Sequence, residues 1–458
     1  MLKRIVKNID YTIGISSLIA IIFSLIVIGS ATLEFTDASF TELKDLNILL
    51  RLLRLDYSIV LRQVVWIIMG IIGLIAILYI DYEDMGKYSK HLYILNLMML
   101  LAVIFMGKTA LGAQRWIPIG PFQFQPSEFS KLIIIITFAD FLVKREGKLN
   151  RLRDLIPCFV FVGVPMLLIL MQPDLGTSLV FIAITFGMLF AAGARPALLA
   201  GLVALGLLMG VTLYEVHEYY HKPDISLEER MTEVKNAMSG NTLYLENNQD
   251  IMNDLKKHKL TTSNKDLQKY YNIISREHET VHRHHERFHK LTLKEYQMTR
   301  LTIFMDPESD LLGAGYHVWQ SRIALGSGGV WGKGLLGGTQ SHYTFLPIRH
   351  TDFIFSVVGE EFGFVGALVL LGLYFVLLYR GVQVAVMARD NYGRLLAMGV
   401  VSMFSFHILV NIGMTAGVMP VTGIPLPLFS YGGSNMIMNL AAIGVLMNVY
   451  VRRQKLIF

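Results

Sequence analysis

The residues with the greatest chemical potential in this 458-residue sequence fall in four Gly- and Pro-rich segments, at 112–131, 172–177, 320–363 and 420–435. Asp352 stands out among them, because it directly precedes an apolar run that begins at Phe353. A carboxylate partly desolvated at such a mouth holds its proton more tightly and can act as a general base near neutral pH. The plainer role for an acid at that position is to cap the helix that follows, which stabilises by ~1 kcal/mol. His350, two residues away, is a rival base.

Arg115, Lys131, Arg322 and Lys333 lie beside Gly-rich backbone. That combination suits a pyrophosphate or another anionic headgroup. Snorkelling of long cations to a membrane interface would place them there too. Glu128 and Asp174 sit at helix starts, where the helix dipole favours a negative charge. Glu360 and Glu361 fall inside an apolar helix and must face its packed side, with a buried Arg or His as the expected partner. Trp116, Trp319 and Trp331 fit an interfacial aromatic belt, and sugar stacking would use the same residue type. His278, His282, His284, His285 and His289 include pairs four apart, as metal ligands on one helix face are. No cysteine accompanies them, and a solvated, charge-rich helix accounts for them better.

These residues must be held by apolar helices. The chain is 53% hydrophobic and 17% charged, against about 25% charged in ordinary soluble chains. Its mean hydropathy is +0.49. Ten candidate spans follow, at 13–33, 59–80, 92–106, 129–143, 156–171, 179–192, 197–213, 353–378, 395–419 and 436–451. Several fall short of the ~20 residues a bilayer core requires. The first is too long for the apolar part of a cleaved signal and is followed by many more, so it reads as an uncleaved helix. With the N-terminus inside, Lys and Arg gather in alternate short loops, at 3–7, 87–90, 144–153, 195, 380–394 and 452–455. This positive-inside bias puts both termini in the cytoplasm and all four unusual segments on the opposite face. The net charge of +6 is then an orientation signal and not a nucleic-acid footprint. Cys158 has no partner for an intrachain disulfide and reads as a small buried hydrophobe.

The expected organisation is an all-α polytopic protein. Residues 1–216 carry helices one to seven, and 217–296 form a polar, helical extracytoplasmic insertion. Residues 297–352 form an extracytoplasmic catalytic loop, and 353–458 carry helices eight to ten and a cytoplasmic tail. Apolar spacings at Leu227, Met231, Val234 and Met238 suggest amphipathic helices in the insertion.

The stretches GAQRWIPIGPFQFQPSEFSKL, QPDLGTSLV, DPESDLLGAGYHVWQSRIALGSGG, FLPIRHTDFIFSVVGEEFG and PVTGIPLPLFSYGGS resemble the SEDS family of peptidoglycan polymerases. The wording around IGPFQFQPSEFSKL and HTDFIFSVVGEEFG is nearer its RodA branch than its FtsW branch, with SpoVE a further relative. The resemblance implies a ten-helix fold in the bacterial cytoplasmic membrane and lipid II as substrate. It also implies inverting glycosyl transfer, with undecaprenyl pyrophosphate leaving, in cell elongation and shape. Asp352 takes the place of the family's general base, and Glu128, Lys131, Arg115, Trp116 and Asp174 those of its cavity motifs. With Arg322, Lys333, His350 and Ser430 these are the substrate-binding candidates. No metal ligand is assigned, and a divalent cation, magnesium or manganese, is compatible with the chemistry. A class B penicillin-binding protein and elongation-complex membrane proteins are the implied partners, with no nucleic acid. Two departures stand out: Ile348 replaces a common Glu in the LPxRHTDF motif, and the insertion is long. A lipid flippase, or a division or sporulation polymerase, is the competing expectation. Flippase sites sit near the midplane between repeats, whereas these polar motifs cluster at one face and no repeat is visible.

Overall fold

The computed structural model describes residues 8–33, 50–51, 55, 57–110, 113–120, 122–221, 225–238, 249–258, 260–263, 265–276, 300, 303–305, 314–343, 345–346 and 348–453. Ten long helices dominate: α1 (Tyr11–Ala31), α2 (Tyr57–Tyr79), α3 (Ser89–Met106), α4 (Pro126–Val143), α5 (Leu152–Met171), α6 (Leu175–Ala191), α7 (Pro196–His221), α8 (Ile354–Val386), α9 (Asn391–Thr415) and α10 (Gly433–Val451). Among the described residues, eight helices are long and apolar enough to cross a membrane. The other two are α4, which carries Glu128, Lys131 and Asp140 within its span, and α6, which has 17 residues. The protein is an all-α polytopic membrane protein. Of these eight, α9 and α10 are the most enclosed, while α2 and α3 bury few of their residues, as lipid-facing helices do.

The chain divides into two compact units, 1–200 with 302–458, and 201–301. α7 continues through His221, beyond the span end at 213 and the 216/217 boundary expected from hydropathy, because its last turns are helical without being apolar. Within 201–301, helices Ile225–Met238 and Gln249–Lys257 and a helical stretch over 265–276 are present. Val234, Ile251, Leu255, Leu267, Tyr270 and Ile274 form a small apolar core there, with Met231 and Met238 packed against it. The side chain of Leu227 and the five histidines at 278–289 lie outside the described residues.

Two ends of the helix bundle differ in chemistry. At one, ion pairs close the connections: Arg380 with Asp10 at 2.6 Å, Arg389 with Glu83 at 3.5 Å, and Arg452 with Asp81 at 3.5 Å. At the other, the starts of α4, α6, α8 and α10 meet the end of α9. Residues 108–124 form three antiparallel strands: β1 (Lys108–Ala110), β2 (Ala113–Ile119) and β3 (Phe122–Phe124). β3 leads directly into α4, whose first residue is Pro126.

The entry to α8 is built around a kink. Gly363 has φ 64° and ψ −162°, a region open essentially only to glycine. Those torsions interrupt the helical ladder at the pairs 364→360 and 365→361. The loop of residues 328–334 replaces both. Lys333 and Gly334 donate their N–H groups to the carbonyls of Glu360 and Glu361 at 3.0 and 2.8 Å, and Phe364 and Val365 donate to Gly329 and Val330 at 2.9 and 3.1 Å. Backbone groups away from water need such partners, since each unsatisfied one costs several kcal/mol. The approach leaves no room for side chains: a Cβ on Gly332 would stand 2.2 Å from the Glu361 carbonyl oxygen.

Candidate active site

Asp352 stands two residues before the start of α8, in a turn closed by bonds from the N–H groups of Thr351 and Phe353 to the Ile348 carbonyl, at 3.2 and 3.5 Å. Phe353, not Asp352, is the capping residue of α8, and no side chain caps the helix. The capping position is thus taken by the residue after Asp352. Ile348 opens the turn at φ 55°, costly for a β-branched residue, at about 1–3 kcal/mol.

The frame around Asp352 is buried and polar, while Asp352 itself is partly exposed. Asn411, fully buried in α9, donates its side-chain amide to the main-chain carbonyls of Asp352, at 2.9 Å, and Ile424, at 2.8 Å. The fully buried Ser430 hydroxyl donates to the Thr351 carbonyl at 2.6 Å and accepts from the N–H of Leu426 at 2.8 Å. Both of these contacts of Ser430 are to backbone, so it holds the Asp352 turn onto the loop of residues 420–432. Gly423 in that loop has φ 73°, and an added Cβ there would lie 3.4 Å from Oδ2 of Asp352. His350 accepts at its carbonyl from the Tyr431 N–H, at 3.0 Å, and its ring meets that of Tyr431 edge-on. Burial, with the Arg349 charge adding to it, holds the His350 imidazole below the ordinary histidine range.

A second cluster begins on the first turn of α4. Glu128 and Lys131 are 4% and 1% exposed and pair at 2.9 Å. Nζ of Lys131 also lies 3.3 Å from Nε2 of His407, on α9. Oε2 of Glu128 is buried without a hydrogen-bond donor among the described residues. Beside this pair, Asp174 caps α6 by accepting from the N–H and hydroxyl of Thr177 at 3.2 and 2.9 Å, and it accepts from Ser127 at 3.3 Å. Arg115, on β2, pairs with Asp174 at 3.8 Å and donates to the carbonyls of Gln172 and Pro173. Asp174 and Arg115 thus join the sheet, α4 and α6. Trp116, next in β2, is half-buried.

Lys333 is engaged as well. It pairs with the fully buried Glu360 at 2.8 Å, and the same carboxylate accepts from the N–H groups of Thr339, Gln340 and Ser341 at 2.7, 2.9 and 3.0 Å. Glu361 meets His342 at 3.0 Å and accepts from Ser30 at 2.5 Å. The buried Arg or His expected for the two glutamates is a histidine at Glu361, whereas Glu360 meets a partly exposed lysine. Arg322, on the helix Ala314–Ser327, is exposed and lays its stem against Gly417 beyond the end of α9. Trp319 is partly exposed and Trp331 largely so, in keeping with interfacial positions. No group of three or more His, Cys, Asp or Glu side chains among the described residues is arranged to hold a metal.

The structure therefore brings Asp352, His350 and Ser430 into one frame and Glu128, Lys131, Asp174 and Arg115 into another, bridged by α9. The residues of that bridge, His407 and Asn411, were not singled out in the sequence. Their signal was polarity inside an apolar span, which by default marks a functional interior.

A family model described as "Cell cycle protein", covering FtsW, RodA and SpoVE, matches residues 17–241 and 283–455. Among curated relatives, the peptidoglycan glycosyltransferase RodA of Treponema pallidum is 36% identical over 395 residues, spanning 86% of this chain and 90% of its own. The peptidoglycan glycosyltransferase MrdB of Escherichia coli is 33% identical, covering 88% of each chain. Stage V sporulation protein E of Bacillus subtilis is 30% identical, covering 96% of each. Among solved structures, a chain of a peptidoglycan synthase complex that coordinates polymerization and crosslinking superposes with a TM-score of 0.67 at 26% identity, covering 98% of this chain and 99% of that one. The fold of RodA from Thermus thermophilus matches with a TM-score of 0.59, over 98% of each chain.

Proposed function

Because the chain belongs to the FtsW/RodA/SpoVE family, we propose that it is a peptidoglycan glycosyltransferase that polymerises lipid II with inversion at the anomeric carbon. Asp352 is the general base. It takes the proton from the acceptor sugar hydroxyl as that oxygen attacks the donor's anomeric carbon, and the donor's undecaprenyl pyrophosphate departs with the bonding pair. The observation that carries this reading is the contrast around Asp352: a partly exposed carboxylate whose turn is held by the fully buried Asn411 and Ser430. A base whose backbone is fixed is held in a defined place for the substrate, and positioning of that kind lowers the barrier to glycosyl transfer.

His350 is held neutral beside it and suits a hydrogen bond to a sugar hydroxyl. Arg322 is exposed at the rim and suits the pyrophosphate, with Trp116 offering an aromatic face. Lys131, Lys333, Arg115, Asp174 and Ser430 act by shaping the cavity, since each is engaged within the protein. The site lies on the extracytoplasmic face, as the Lys and Arg asymmetry of the short loops supports. The higher identity to the RodA and MrdB relatives than to the sporulation relative, 36 and 33% against 30%, supports a role in elongation. The partner is a class B penicillin-binding protein, a reading supported by the likeness to a chain of a synthase complex that also crosslinks. The test is polymerisation of lipid II by the purified full-length protein. Glycan strands from the wild type and none from Asp352→Asn are expected, and no strands from a folded wild type would overturn the reading.

A further inference from the structure

His407 plays no part in the chemistry as described, yet it is 1% exposed inside α9 and both its ring nitrogens are engaged. Nε2 faces the Lys131 ammonium at 3.3 Å and Nδ1 faces the Pro425 carbonyl at 3.1 Å. An ammonium only donates and a carbonyl only accepts. The ring is therefore the neutral Nδ1–H tautomer, donating to Pro425 and accepting from Lys131. One helical turn further along the same face, Asn411 donates to the carbonyls of Ile424 and Asp352. Two successive turns of α9 thus grip two successive carbonyls of one strap, Ile424 and Pro425. The residue just before that strap is Gly423, where an added Cβ would lie 3.4 Å from Oδ2 of Asp352.

We propose that His407 is a positioning residue for glycosyl transfer. It ties the buried Glu128–Lys131 pair to the Ile424–Pro425 strap, and through that strap and Asn411 it fixes where the Asp352 carboxylate stands. The inference rests on the reading of Asp352 as the base. A histidine that merely filled space in α9 would need only its volume. One that relays position needs both of its bonds, each in its own direction.

That difference can be measured with isosteric substitutions in the full-length protein, using lipid II as substrate. His407→Asn keeps a donor at the Nδ1 position for Pro425 and loses reach to Lys131. His407→Gln keeps an acceptor at the Nε2 position for Lys131 and loses the donor to Pro425. His407→Phe keeps volume and loses both. All three are expected to lower kcat about tenfold or more, with KM for lipid II nearly unchanged, since small misplacements of a catalytic group cost up to ~100-fold. Wild-type kcat in either the Asn or the Gln variant would overturn the relay, as would full activity in the Phe variant or a change in KM alone. Should the Phe variant fail to fold, the two isosteres decide. Asp352→Asn assayed in parallel separates the two ideas. If it is inactive while the His407 variants keep wild-type rates, only the relay falls. If it is active, the assignment of the base falls.

Discussion

Glu128 and Lys131 form an ion pair of 2.9 Å on the first turn of α4, with both side chains almost wholly removed from solvent. Such a pair is expensive to break from one side, because the survivor is left as an uncompensated buried charge, at a cost of about 3–5 kcal/mol. Lys131→Met and Glu128→Leu are each expected to lower the melting temperature of the detergent-solubilised protein. The double substitution should recover much of that loss while remaining inactive. Additive losses in the double variant would show that the two charges are stabilised independently.

Asp352→Asn is expected to keep expression and melting temperature while lowering lipid II polymerisation by ~10²–10⁴-fold, the usual effect of removing a general base. The main-chain bonds from Asn411 and to the Ile348 carbonyl involve no atom of the Asp352 side chain, so the turn survives the substitution. Polymerisation at the wild-type rate would assign the base elsewhere, with His350 the first alternative.

Gly363→Ala meets two obstacles at once. The backbone torsions there cost a side-chain-bearing residue about 1–3 kcal/mol, and the new Cβ would stand 2.3 Å from the Gly332 nitrogen. Marked loss of folded protein on size-exclusion chromatography is expected. Gly372→Ala, in the same helix with nothing near its added Cβ, should behave as wild type. Equal behaviour of the two variants would contradict the packing of the 328–334 loop on α8.

Acid should destabilise the protein in part through His350. Its burial and the nearby Arg349 hold the folded-state imidazole below the usual range, while the unfolded chain binds its proton near pH ~6.5. Stability from this group is thus complete above about pH 6.5 and is lost as pH falls towards the folded-state value. Melting temperatures recorded from about pH 7.5 to 5 should fall less steeply for His350→Gln than for the wild type. His317 is depressed for the same reason of burial, so the slope should shrink without vanishing. An identical slope would place His350 in an environment that does not resist its charge.

An impermeant thiol reagent tests sidedness directly. In a Cys158→Ser background, Lys148→Cys, exposed between α4 and α5, should resist labelling in intact cells and react after permeabilisation. Labelling from outside would invert the topology and move the Asp352 face to the cytoplasm.

Much of the architecture was legible because lipid-facing helices announce themselves by apolar length. All ten long helices coincide with apolar runs in the sequence, and their starts differ by a few residues where polar caps such as Asp10 and Asp174 precede the run. The three strands were not legible. AQRWIPI and FQF are short, and Gly and Pro punctuate the segment that holds them. For Glu360 and Glu361, burial and pairing could be foreseen from charge inside a helix. The identity of the partners could not, since Lys333 and His342 come from a loop 27 and 19 residues away. His407 and Asn411 were hidden in plain view. Each reads as one polar residue in a long span, and only the tertiary structure turns two separate exceptions into adjacent turns of one face.

The join between residues 328–334 and the kink of α8 is written in main-chain atoms, and this sets which kinds of change it tolerates. Val330 and Trp331 point outward, 57% and 79% exposed, so their side chains take no part in holding the join. Length is another matter. The four bonds pair 329 with 364, 330 with 365, 333 with 360 and 334 with 361, so one inserted or deleted residue between 330 and 333 throws one half out of step with the other. Homologues should therefore vary freely in residue type at 330 and 331 and scarcely at all in the number of residues separating the loop's two contact pairs.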